Sequence, residues 1–118
     1  MCAIFRNRSD GWWKLGAILA HGDEFANTSG TLRGTRRPTG TGRLPAPWVK
    51  RFRHDRDGHG VGPGIDYVVY SYATPIAWHI PGQGWTVPTE TYSVTTTRHQ
   101  RAVNLAIYHR ADAMADAA

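Results

Sequence analysis

Residues 66–95, DYVVYSYATPIAWHIPGQGWTVPTETYSVT, decide how the fold is read. The segment 66–72 is rich in β-branched and aromatic residues and fits a central strand. Thr74-Pro75 breaks that strand, and Pro75 fits an edge or a bulge between two strands. Ile76, Trp78 and Ile80 then alternate with Ala77 and His79, as a half-buried strand requires. Pro81-Gly82-Gln83-Gly84 predicts a hairpin turn, Trp85-Thr86-Val87 the return strand, and Pro88 its end. Tyr92-Ser93-Val94-Thr95 predicts a fourth short strand, so 66–95 reads as an antiparallel meander. Tyr70, Tyr72, Trp78 and Tyr92 are expected to supply its core area.

Working outward, Thr97 and Gln100 form a capping box that predicts a helix over 98–113. Val103, Ala106, Ile107 and Met114 fall on one stripe of it, with Arg101, Asn104 and Asp112 towards the other side. Upstream, Trp13, Leu15, Ala17 and Leu19 alternate, and Gly16 disfavours a helix interior, so 11–21 leans towards a strand. Asn27-Thr28-Ser29-Gly30 predicts a turn, and 31–36 a polar edge strand. Between them and the meander, 34–64 holds seven Gly and four Pro without periodicity, which predicts a long extended or mobile loop. In that loop Trp48 is expected to dock locally, and the Gly-rich 58–64 to be the most mobile part. One helix on an antiparallel sheet makes an α+β fold, expected as a single small domain over 1–118.

Leu, Ile, Val and Phe number 21 in 118 residues, so the aliphatic core is thin and five Trp and five Tyr must complete it. No apolar run reaches the ~20 residues of a membrane-spanning helix, and the N-terminus lacks the apolar segment of a secretory signal. Membrane insertion is therefore not expected. The single cysteine, Cys2, excludes an internal disulfide framework and a cysteine zinc finger.

The formal charge of +5 comes from one block, since 33–57 carries +6 and the flanks nearly cancel. Twelve of the fourteen basic side chains are Arg, whose planar fork suits phosphate and carboxylate. Arg36, Arg37, Trp48, Lys50, Arg51 and Arg53 are accordingly candidate contacts for an anionic partner. Trp48 beside three cations also suits stacking on single-stranded nucleic acid, or a protein interface. Arg98, His99 and Gln100, expected on the first helical turn, are candidates for a phosphate or an acidic side chain.

Catalytic and metal readings are weaker. His54, Asp55, Asp57 and His59 crowd one segment, and 55–66 loosely mimics a calcium loop with His at position five and Asp at position twelve. The Gly-rich flanks give such a site little preorganisation, and neither a metal nor a cofactor is assigned. Glu90, His79, His99 and Arg98 are the residue types of a small basic nuclease, but nothing in their spacing forces them together. No catalytic residue is assigned, and no phosphate-binding loop of the G-x-x-x-x-G-K-[ST] type is present.

Two ordered motifs, Tyr70-Ser71-Tyr72-Ala73-Thr74-Pro75-Ile76-Ala77-Trp78 and Tyr92-Ser93-Val94-Thr95-Thr96-Thr97-Arg98-His99-Gln100, resemble a family of small uncharacterised proteins encoded mainly by bacteriophages. Residues 27–34 and 42–45 look like its mycobacteriophage branch. The resemblance implies a phage protein in the cytoplasm of the infected bacterial host. It brings no established reaction or ligand. The expected function is non-enzymatic binding of a host bacterial protein. The alternatives are nucleic-acid binding through the Arg-rich 33–56 block and, third, a small basic nuclease. A homo-oligomer is also open to a sheet with an exposed edge.

Overall fold

A six-stranded sheet runs through the chain in the order β1-β2-β3-β4-β5-β6. The computed structural model describes residues 3–5, 12–57, 64–90 and 94–108. The strands are β1 (Ala3–Phe5), β2 (Phe25–Asn27), β3 (Leu32–Thr35), β4 (Tyr67–Ser71), β5 (Thr74–Ile80) and β6 (Gly84–Thr86). The helices are α1 (Trp12–His21), α2 (Ala46–Arg56) and α3 (Val94–Ala106). From β2 to β6 every neighbour is antiparallel. β1 joins β2 in parallel, which needs the crossover that α1 provides. The α+β class, the meander through β4, β5 and β6, and the C-terminal helix are as expected, but β5 is buried at every position instead of on one face, because both faces of the sheet are covered. No helix among the described residues is long and apolar enough to cross a membrane.

The 11–21 segment is a helix, contrary to the strand expectation. Leu15, Ile18 and Leu19 are buried, a spacing that belongs to a helix face, while His21 is exposed. Two-residue alternation was the wrong period, and burial of that stripe outweighs the cost of about 1 kcal/mol for a mid-helix Gly16. β3 is an interior strand rather than an edge, lying between β2 and β4. Gly34 fits there because a Cβ would overlap the Tyr67 hydroxyl and the Phe25 ring.

The 34–64 stretch is not one loop, since it holds α2. Pro47 is tolerated in the first turn, where its missing N–H has no intrahelical partner to lose. Phe52 and Asp55 form the buried stripe, with Trp48 and Val49 packed beside them. So narrow a stripe on a basic helix leaves almost no apolar period to read. Residues 58–63, expected to be the most mobile, lie outside the described residues.

Side-chain alternation along β4 splits the core. Tyr67 and Val69 join Leu15, Leu19, Phe25, Leu32 and the α3 residues Val103, Ala106 and Ile107. Val68 and Tyr70 join Leu44, Phe52, Ile65, Trp78 and Ile80. The sheet is thus covered on both sides, by α1 and α3 on one face and α2 on the other. A register shift between Val69 and Tyr70 lies opposite Pro75, which cannot donate to the ladder.

The second motif differs from expectation at its start. Val94 and Thr95 open α3 instead of closing a strand, while Tyr92 and Ser93 lie outside the described residues. Thr97 is therefore inside the helix, and the expected capping box is absent. Gln100 Nε2 instead donates to the Glu90 carbonyl at 2.7 Å and ties the preceding loop to the helix. Val103, Ala106 and Ile107 are buried as the stripe predicted. Met114, Asp112 and the end of the helix near 113 are outside the described residues. Tyr70 and Trp78 are fully buried, but Tyr72 is 52% exposed and is no core residue.

Candidate functional site

α2 presents the densest charge. Its Lys50, Arg51, Arg53, His54 and Arg56 are exposed while Phe52 and Asp55 face the sheet. Arg53, His54 and Arg56 occupy the last turn, where cations complement the helix dipole. Asp55 anchors the helix from below. Its Oδ2 accepts from Trp78 Nε1 at 2.9 Å and from Arg51 Nε at 2.9 Å. Arg51 thus spends part of its charge on a buried carboxylate. Lys50 and Arg53 border an open groove of about 530 Å³ floored by Leu44, Ala46 and Val49.

The remaining predicted contacts are scattered and partly structural. Arg36 Nε donates to the Gly22 carbonyl at 2.7 Å and closes the end of α1. Its backbone N–H donates to Glu24, which also accepts from the Thr35 hydroxyl. That hydroxyl first, then the N–H, hold the Glu24 carboxyl below its ordinary range. Arg37 is exposed beside them. Arg33 lies over the Tyr70 ring, 4.4 Å from its centre. Trp48 docks as expected. Its Nε1 donates to Glu90 Oε1 at 3.2 Å and its ring packs edge-on to Trp78 at 6.3 Å. Held that way, it is a poor platform for stacking bases.

Arg98, His99 and Gln100 sit in the second turn of α3, not the first, and point to different tasks. Arg98 is exposed, Gln100 holds Glu90, and His99 is buried. Ser71 Oγ lies 2.7 Å from His99 Nδ1 and donates to Thr96 Oγ1 at 3.1 Å. Ser71 has one proton, so giving it to Thr96 leaves its oxygen to accept from His99 Nδ1–H. The relay therefore runs from His99 through Ser71 to Thr96, the reverse of a base drawing a proton from serine. Burial pushes the His99 pKa down and keeps the ring neutral at neutral pH.

The nuclease constellation is not assembled. His79 is buried on β5 with Nδ1 2.7 Å from Asp66 Oδ1, opposite Tyr67 at one end of β4. His99 is beside Ser71 at the other end, and Glu90 is held by Trp48 and Gln100. The metal-like run is dispersed as well. Asp55 turns into the core, Asp57 caps α2 at the surface, and His59 lies outside the described residues. Among the described residues no three His, Cys, Asp or Glu side chains gather as a metal site. Cys2 is outside the described residues.

One cleft was missed by sequence reasoning. It has a volume of about 460 Å³ and lies where the β4–β5 turn meets the turn at Gly42-Arg43 and the first turn of α3. Ser71, Tyr72 and Thr74 from the first motif and Thr95 and Thr96 from the second line it. Each hydroxyl reads alone as a cap or strand residue, and only the fold brings them together.

The fold and these two features define a small α+β protein with a basic helix on one face of its sheet and a hydroxyl-lined cleft at one end. The chain belongs to a family of unknown function (DUF8033), whose model matches residues 13–114. No curated protein and no solved structure matches it.

Proposed function

We propose that this chain is a phage-encoded, non-enzymatic binding protein that engages an acidic surface of a host protein in the bacterial cytoplasm. The α2 surface carries this reading. Lys50 and Arg53 stand beside an apolar floor of Leu44, Ala46 and Val49, a combination suited to a protein partner with acidic and apolar groups. The phage and cytoplasmic setting rests on the resemblance of the two motifs. Binding is tested by retaining host protein on the tagged chain after nuclease treatment, then repeating with Lys50 and Arg53 both changed to Ala. The expected result is a discrete protein lost from the double variant, with the melting temperature unchanged. Retention by the double variant rejects the α2 surface.

The exposed cations along one helix also favour a second reading, nucleic-acid binding by α2. The two differ in salt response. A phosphate-dominated complex loses about 10³–10⁵-fold in affinity between 50 and 200 mM salt if it makes six or more phosphate contacts. A protein interface with an apolar centre loses far less.

A further inference from the structure

The cleft at the β4–β5 turn has the chemistry of a small-ligand site. Its volume of about 460 Å³ falls in the range of roughly 300–1,000 Å³ that holds such ligands. Arg43 lines it and has no acidic partner among the described residues. Thr74 is buried, and its Oγ1 accepts the Arg43 backbone N–H at 2.9 Å, which leaves the hydroxyl proton to give. A guanidinium and a hydroxyl donor lining one cleft suit phosphate oxygens.

The aromatic wall is Tyr72. Its ring sits 6.3 Å from His99 and is half exposed at the mouth of the cleft. Tyr72 is also the one non-glycine residue with positive φ, at 57°, among the described residues. It occupies the first position of a two-residue hairpin loop, where glycine is the comfortable choice. Nearby, Gly42 at φ 50° allows the facing turn to approach, since a Cβ would strike the Ala73 carbonyl and the Thr74 hydroxyl. The two turns are thereby locked together with the ring, the cation and the hydroxyl around one space.

We propose that this cleft binds a nucleoside monophosphate, with the phosphate on Arg43 and Thr74 and the base against Tyr72. The site shares no residue with the α2 surface, so either proposal can fail alone.

Calorimetric titration of the full chain tests it, with the four ribonucleoside 5′-monophosphates, inorganic phosphate and the free nucleosides as probes. At least one nucleotide is expected to bind with a Kd below about 1 mM, and phosphate or nucleoside alone about tenfold or more weakly. Arg43→Ala and Tyr72→Gly should each weaken binding about tenfold, whereas Tyr72→Phe should bind as the parent does. Tyr72→Gly should melt no lower than the parent, because it relieves the turn. This separates loss of the ring from loss of the fold. The proposal is overturned if no nucleotide binds at 5 mM (roughly −3 kcal/mol), if phosphate binds as well as the nucleotide, or if the Arg43→Ala and Tyr72→Gly variants bind like the parent.

Discussion

Buried polar residues do the most specific structural work in this protein. Asp55 accepts from Trp78 and Arg51, and through Trp78 it is a polar link between α2 and the sheet beside the apolar packing of Phe52. Asp55→Ala leaves the Trp78 N–H without an acceptor and should cost about 2–3 kcal/mol in chemical denaturation. Arg51→Ala should cost about 1 kcal/mol or less, because Arg51 is 49% exposed and its ion pair is partly screened. Equal costs for the two would contradict that assignment. His99 makes a pH-dependent contribution. Its folded pKa lies below the ordinary 6.5, so between those two values the unfolded chain holds more protons. Stability is then complete above about 6.5 and falls as pH drops towards the folded value. Melting curves from pH 8 to 5 should show a smaller decline for His99→Gln than for the parent. Identical declines would remove His99 from that role.

Elements differ in how openly the chain declares them. β4 is rich in β-branched and aromatic residues, β5 and β6 are set off by turn residues, and the second half of α3 carries the apolar stripe of Val103, Ala106 and Ile107, so local pattern and tertiary burial agree on the element types. α1 shows both periods at once, and packing against α3 settles it as a helix. A proline there is a direct check. Ala17→Pro should destabilise by about 3 kcal/mol or more, since it removes a helical hydrogen bond. α2 is the opposite case, with one buried aromatic and one buried carboxylate among cations. Phe52→Ala should cost about 3–5 kcal/mol, the loss of a fully buried ring. A cost below 1 kcal/mol would mean α2 is not packed on the sheet. The candidate contacts were legible to a similar degree. Lys50 and Arg53 stand exposed on α2, but Arg36 serves α1 and Trp48 serves the core.

Across the whole molecule, the sheet separates two clusters with no residue in common. Phe52→Ala on one side and Val103→Ala on the other should add to within about 0.5 kcal/mol, while unfolding stays a single transition. A larger coupling in a double-mutant cycle would mean that the two cores are energetically joined. Charge, the aromatic-rich composition, the β4–β6 meander and the α3 stripe were determined by the sequence itself, because alternation, turn residues and net charge act over a few neighbours. The tertiary structure decided the rest. It alone set β3 inside the sheet, placed α2 across its second face, buried His99 and brought Ser71, Thr74 and Thr96 to one cleft. Those outcomes depend on which distant segments share a face, and a single buried hydroxyl, imidazole or carboxylate acquires its role only when the fold supplies its partner.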